Sequence, residues 1–177
     1  MADRNYWKSV WSKCAVVALL AGGVASCAQA PGRASIIDEN VAVAEQQIAM
    51  LADSSETGGM IRIPSTYKNG RIDYVPTDDW VSGFFAGTLW YMYELTGDEA
   101  WAARAQKHTE ILDSIQYLQW HHDVGFMIYD SYGNGLRLKN IPGYREVIVQ
   151  TAKSLAARFR EVPGVIQSWD ADRGWQG

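Results

Sequence analysis

The segment WHHDVGFMIYDSYGNG, residues 120–135, holds the side chains of this chain that are best suited to chemistry. Two histidines and Asp123 stand directly before Val124 and Phe126. Apolar neighbours disfavour the charged form of a carboxyl, so this pattern indicates an acid set in a partly desolvated place. A carboxyl of that kind can both give and take protons near neutral pH.

The residue types alone leave three interpretations of this segment open. A metal could bind His121 and Asp123, whereas the adjacent His122 and Asp123 would point in opposite directions on an extended segment. Asp123 could instead cap a turn, with His122 buried and hydrogen-bonded. The third interpretation is an acid in a sugar-binding pocket whose walls are Trp and Tyr rings.

Composition narrows the class of protein. The 177 residues suit one domain, and the net charge of -4 argues against a nucleic-acid partner. Eight tryptophans can fill a core or stack on sugar rings. The two cysteines, Cys14 and Cys27, both precede the body of the chain, which excludes a disulfide framework and a cysteine-ligated zinc from that body. We expect neither a metal nor another cofactor.

The N-terminus is typical of an export signal. Basic residues precede a short apolar block, residues 14–26, and that block is too short for a membrane-spanning helix. Its end, VASC, resembles the lipobox of bacterial lipoproteins, in which the cysteine (here Cys27) is acylated. An ordinary secretory signal with a chance cysteine is the alternative. We therefore expect a signal peptide over 1–26, a lipid-anchored tether over 27–34 and a location in the bacterial cell envelope, at the outer membrane or periplasmic face.

The elements that must position the acid are predicted to be helices. Apolar periodicity predicts helices over 35–52, 79–97, 98–116 and 144–159. Glycine and proline content predicts loops over 53–79 and over the 120–135 segment, and a loop or short hairpin after residue 160. Asp79 and Gly97 suit the caps of the second helix, and Gly83 and Gly87 would let another element approach it closely.

The predicted fold class is all-α, because no run of residues is long enough to build a sheet. The second helix is apolar on nearly every side, and such a helix needs neighbours on every side. Four helices cannot easily supply them. We therefore expect residues 35–177 to be the N-terminal part of a larger helical domain.

Three stretches, DWVSGFFAGTLWYMYELTGDEAW, HHDVGFMIYDSYGNGLRL and VIQSWD, together resemble the unsaturated glucuronyl hydrolases, glycoside hydrolase family 88. The resemblance runs from about residue 79 to the end of the chain, and more loosely back to Ser35. It implies an (α/α)6 barrel of which about four helices are present here. It also implies removal of a Δ4,5-unsaturated uronic acid from the non-reducing end of lyase-generated oligosaccharides by hydration of its enol ether.

The resemblance also assigns roles to residues. Asp123 matches the first of two active-site aspartates, while Trp80, His122 and Trp169 match pocket residues. Asn134 could hydrogen-bond a sugar or only hold a turn. The family's general acid lies on a later inner helix, which this chain lacks, although Asp170 and Asp172 are acidic. We therefore expect the 177-residue chain alone to be inactive.

Two other functions fit some of the same features. A non-catalytic surface lipoprotein that binds glycans would need the same signal and the same tryptophans. A related hydrolase acting on unsaturated galacturonyl-rhamnose is the other possibility, but the HDVGF and SYGNG sequences favour the glucuronyl type.

Overall fold

The computed structural model describes residues 33–170, with side chains from residue 36 onward. The α-helices, in chain order, are α1 (Arg33–Ser55), α2 (Ser82–Thr96), α3 (Glu99–Glu110), α4 (Val124–Ile128), α5 (Asn134–Lys139) and α6 (Tyr144–Ala156). The strands are β1 (Ile63–Lys68), β2 (Arg71–Val75), β3 (Phe159–Arg160) and β4 (Val165–Ile166). The mostly helical class is confirmed, and α1, α2, α3 and α6 correspond to the four predicted helices.

Helices α2 and α3 form an antiparallel hairpin around the centre of the core. Gly97 ends α2 in the left-handed conformation, as expected of a C-cap, and the Asp98 carboxylate accepts the Ala100 N–H to cap α3. Trp90 is fully buried, and its indole N–H donates to the Thr109 hydroxyl at 2.9 Å. Asp79 does not cap α2 directly; its carboxylate accepts the Val81 N–H in the turn just before the helix.

The 120–135 segment is not a loop, which corrects the prediction. Helices α4 and α5 are joined through a π-helical turn, Tyr129–Gly133, so residues 124–139 form one continuous helical run. Residues 136–139, LRLK, in which leucine alternates with basic residues as in a strand, also lie in helix. Gly135 shows why glycine is present in a helix here, because a Cβ atom would lie 2.5 Å from the Tyr144 ring and 2.9 Å from the Trp90 indole.

The run 124–139 lies parallel to α2. A Cβ on Gly83 would lie 2.1 Å from the Met127 carbonyl oxygen, and one on Gly87 would lie 3.0 Å from that of Asp130. Further along both helices, Glu94 pairs with Arg137. The close approach predicted from the two α2 glycines is therefore confirmed. Helix α3 returns antiparallel to α2, and α6 returns antiparallel to α4–α5, so each helix of the parallel pair is followed by an antiparallel return.

A two-stranded hairpin occupies the stretch predicted to be a long loop. Strands β1 and β2 pair antiparallel, and Asn69 and Gly70 turn the chain with φ values of 52° and 77°. An Asn-Gly pair with positive φ at both positions is the favoured two-residue hairpin turn. The short hairpin expected after residue 160 is also present, as β3 paired with β4.

Several predictions fall outside the part of the chain that the structure describes. These are the signal peptide over 1–26, the tether with Cys27, and Asp172. Within residues 33–170, none of the helices has the length and apolar character needed to cross a membrane.

Candidate active site

Asp123 lies where the chain turns into helix α4. Its backbone is helical, with φ −68° and ψ −13°, and its side chain is buried beside the fully buried Val124. The turn brings both imidazoles to one carboxylate: His122 Nε2 lies 3.2 Å from Asp123 Oδ1, and His121 Nδ1 lies 3.4 Å from Asp123 Oδ2. The expectation that adjacent side chains would point apart is wrong here, because the backbone is not extended.

His121 is held as a neutral imidazole. The Asp123 backbone N–H donates to His121 Nδ1 at 3.1 Å, so that nitrogen carries a lone pair and the ring proton lies on Nε2. Burial lowers the pKa of His121, and the nearby Asp123 carboxylate offsets part of this effect. The ring therefore presents an acceptor to the Asp123 side chain.

Trp169 covers His121. The two residues form an isolated antiparallel bridge, and their rings stack at 4.8 Å between centroids with 17° between planes. The Trp169 indole also meets His122 edge-on at 6.2 Å, and the Trp120 indole meets the His121 ring edge-on with 4.0 Å between centroids. The structure thus brings Asp123, His122 and Trp169 together, with His121 between them.

Trp80 lies in an aromatic group with Phe84 and Phe126. Phe126 follows Asp123 by about one helical turn. The Trp80 indole meets Phe126 at 6.5 Å and Phe84 at 5.9 Å, and the rings of Phe84 and Phe126 stack at 5.5 Å. Half of the Trp80 surface is exposed (50%), so this indole is available to a ligand. The backbone of Asp78, two residues before Trp80, also faces His121.

Asn134 lies away from these residues. Its amide donates to the Asp130 carbonyl at 2.8 Å and its carbonyl accepts from Arg137, so the side chain is bound within its own helical run. Substrate binding by Asn134 stays a prediction. Burial raises the pKa of Asp130, a carboxyl that the sequence pattern did not single out.

Among residues 33–170, no set of three His, Cys, Asp or Glu side chains is arranged to hold a metal ion. The chemistry that the site offers is instead that of a buried carboxyl with two imidazoles and stacking indoles. Such a group can exchange a proton with a bound sugar, while the indoles hold the apolar face of the ring.

Comparison with known proteins shows which enzymes this chain resembles. No family model matches the chain. The unsaturated glucuronyl hydrolase of Formosa agariphila is 40% identical over 102 residues, which is 56% of this chain and 25% of that protein. The enzyme of that name from Bacillus sp. strain GL1 is 35% identical over 107 residues, 57% of this chain and 28% of that protein.

A solved structure of an unsaturated glucuronyl hydrolase specific for heparin has a TM-score of 0.68 at 41% identity, covering 76% of this chain and 36% of that one. Over this part of its length, the chain is similar to the unsaturated glucuronyl hydrolases. Another solved structure, of an unsaturated glucuronyl hydrolase with dGlcA-Glc-Rha-Glc, has a TM-score of 0.58 at 27% identity. The chain spans about a quarter of the length of the two curated relatives named above.

Two residues of the candidate active site were not identified from the sequence. Trp120 contacts His121, and the buried Arg158 donates to backbone carbonyls of the two segments that carry His121 and Trp169. Trp120 could have been found, because it adjoins the histidines in sequence. Arg158 gave no signal, because its partners are distant in sequence. Asp170, considered as a second acid, pairs with Arg158 at 3.1 Å.

Proposed function

We propose that this chain forms part of a hydrolase that removes a Δ4,5-unsaturated uronic acid from the non-reducing end of lyase-generated oligosaccharides. The names of its relatives support the hydrolase family. The observation that carries the proposal is the buried Asp123 carboxylate, which lies between two imidazoles and beside the Trp169 indole that stacks on one of them.

The reaction requires a proton on C4 of the enol ether and a water molecule on C5. The hemiketal that forms then collapses and releases the next sugar. Asp123 is proposed as one aspartate of an acid pair: it holds the unsaturated ring and supports the partner acid that delivers the proton. Since the family's second acid is expected on a later helix, we assign turnover to a protein that carries this chain together with that helix.

The pocket residues have distinct proposed roles. Trp169 and Trp80 give flat apolar surfaces to the two sides of the sugar. His122 is partly exposed (44%) and contacts Asp123, so it can hydrogen-bond the substrate while it orients the carboxylate. Asn134, if it binds sugar at all, would have to exchange the hydrogen bonds that it makes within its helix.

A spectroscopic assay tests this proposal. The enol ether of an unsaturated disaccharide absorbs in the ultraviolet, and hydration removes that absorbance. The native protein that carries this chain and the second acidic helix is expected to bleach unsaturated glucuronyl disaccharides. Binding without bleaching, over a range of unsaturated substrates, would support the glycan-binding lipoprotein instead.

We also propose that the protein is anchored in the bacterial cell envelope through an acylated Cys27. Its support is the basic start, the short apolar block and the VASC sequence. Cells that express the protein should incorporate labelled palmitate into it, and C27S should abolish that label. C14S is the matched control and should keep it, because Cys14 stands inside the segment that is removed. Labelling that survives C27S would contradict the anchor.

A further inference from the structure

Arg158 is a buried cation beside the candidate site. It follows helix α6, and only 3% of its surface is exposed. Its Nε donates to the Gln167 carbonyl at 2.8 Å, and its Nη2 donates to the Ser168 carbonyl at 2.9 Å and to Asp170 Oδ1 at 3.1 Å. Its Nη1 donates to the Gln119 carbonyl. The guanidinium thus binds three backbone carbonyls and one carboxylate.

These partners lie on two separate segments that meet at the site. Gln119 is two residues before His121, and Ser168 directly precedes Trp169. The bridge between His121 and Trp169 lies just after these carbonyls on both segments. Because the guanidinium holds a carbonyl on each segment, it fixes the separation of the segments and with it the stacking of the two rings.

The geometry requires arginine. A guanidinium presents five donors in a planar fork, whereas a lysine ammonium is a point charge on a flexible stem and cannot reach carbonyls on opposite sides at once. Burying a cation is costly unless it is paired and hydrogen-bonded, and here Asp170 supplies the pair. The buried charge is therefore used to join two segments that share no long element of secondary structure.

We propose that Arg158 is a positioning residue that holds Trp169 against His121 and so fixes the aromatic wall beside Asp123. Its significance for substrate rests on the proposed function above. The placement of the ring does not, and it can be measured without any substrate.

Proton NMR of the His121 ring in the 177-residue chain measures this placement directly. The stacked Trp169 indole shifts the imidazole C–H resonances by its ring current, and W169A gives their positions without the indole. We expect R158K to move these resonances most of the way to the W169A positions. R160K is the matched control. The exposed Arg160 guanidinium donates to the side chain of Gln167, so this change should leave the His121 resonances at their native positions.

His121 resonances that stay at their native positions in folded R158K would overturn the proposal. If R158K does not fold, D170N replaces it. This change removes the negative charge that pairs with the guanidinium and keeps the three carbonyl bonds, so the same resonances should move in the same direction by a smaller amount. Native positions in D170N would then overturn it.

Kinetics separates this proposal from the proposed function. In the native protein that carries the second acid, R158K should raise KM for an unsaturated disaccharide about 10- to 100-fold and lower kcat less, since it misplaces a binding wall. A native protein that bleaches no unsaturated substrate refutes the function alone. Unmoved His121 resonances refute the role of Arg158 alone.

Discussion

Asp123 owes its setting to the residues on either side of it. Its own backbone N–H fixes His121 as an acceptor, and its carboxylate oxygens each face one imidazole. A neutral His121 is stable there because the ring is fully buried and contacts two indoles. The site thus presents a neutral imidazole directly beside the buried carboxyl.

Stability should fall at acidic pH because of the buried histidines. Burial lowers the pKa of both His108 and His121 in the folded chain, while the unfolded chain binds protons near 6.5. Their contribution is therefore complete above pH 6.5 and is lost as the pH falls below it towards the lowered folded pKa values. Urea midpoints between pH 7.5 and pH 5 should show this decline.

Single replacements identify the histidines responsible. H108Q and H121Q should each make the decline shallower than in the native chain, whatever they do to stability at pH 7.5. An unchanged slope in both variants would show that other groups cause the decline.

At the residue scale, part of the site could be predicted from the residue types. The juxtaposition of Asp123 with His122 and Trp169 was predicted, and the structure brings the three together. Arg158 could not be predicted, since its carbonyl partners lie 9, 10 and 39 residues away and any residue type supplies a backbone carbonyl.

Glycines act at the scale of elements by allowing helices to touch. Gly83 approaches the backbone of Met127, and this contact fixes where α4 starts relative to α2. Each glycine in a helix costs roughly 1 kcal/mol relative to alanine, which is why the 120–135 segment was expected to be a loop. Packing offsets that cost, because Trp90 and Tyr144 occupy the space that a Cβ on Gly135 would need.

G83A should destabilise the fold by about 1–3 kcal/mol, since a Cβ there would overlap a backbone carbonyl that no rotamer change can move. G125A is the matched control in the neighbouring helix. A Cβ on Gly125 would lie 3.6 Å from the Leu155 side chain, an ordinary contact, so G125A should be neutral or stabilising by up to about 1 kcal/mol. Equal losses in thermal or urea unfolding would contradict this account of the α2–α4 contact.

The β1–β2 hairpin shows what a pattern of apolar residues misses. Its strands carry few buried side chains, and in β1 only Ile63 is buried. The signal was the turn, Asn69 followed by Gly70, rather than the strands. Helix positions were easier to predict, because α2, α3 and α6 bury a regular face.

At the scale of the whole molecule, the described residues repeat one unit. A helix of the parallel pair α2 and α4–α5 is followed each time by an antiparallel return, α3 or α6. The solved relatives share this fold over about a third of their length. The candidate site lies at the N-terminal ends of the parallel helices, where Trp80 precedes α2 and Asp123 precedes α4.

Loss of enol-ether absorbance from an unsaturated glucuronyl disaccharide, compared between the native protein that carries this chain and its D123N variant, tests the central claim most directly. We predict that the native protein bleaches the substrate and that D123N does so more slowly by a factor of about 10²–10⁴. Circular dichroism of both proteins confirms that the variant is folded. Bleaching at the native rate by folded D123N would contradict the claim that this carboxyl takes part in the chemistry.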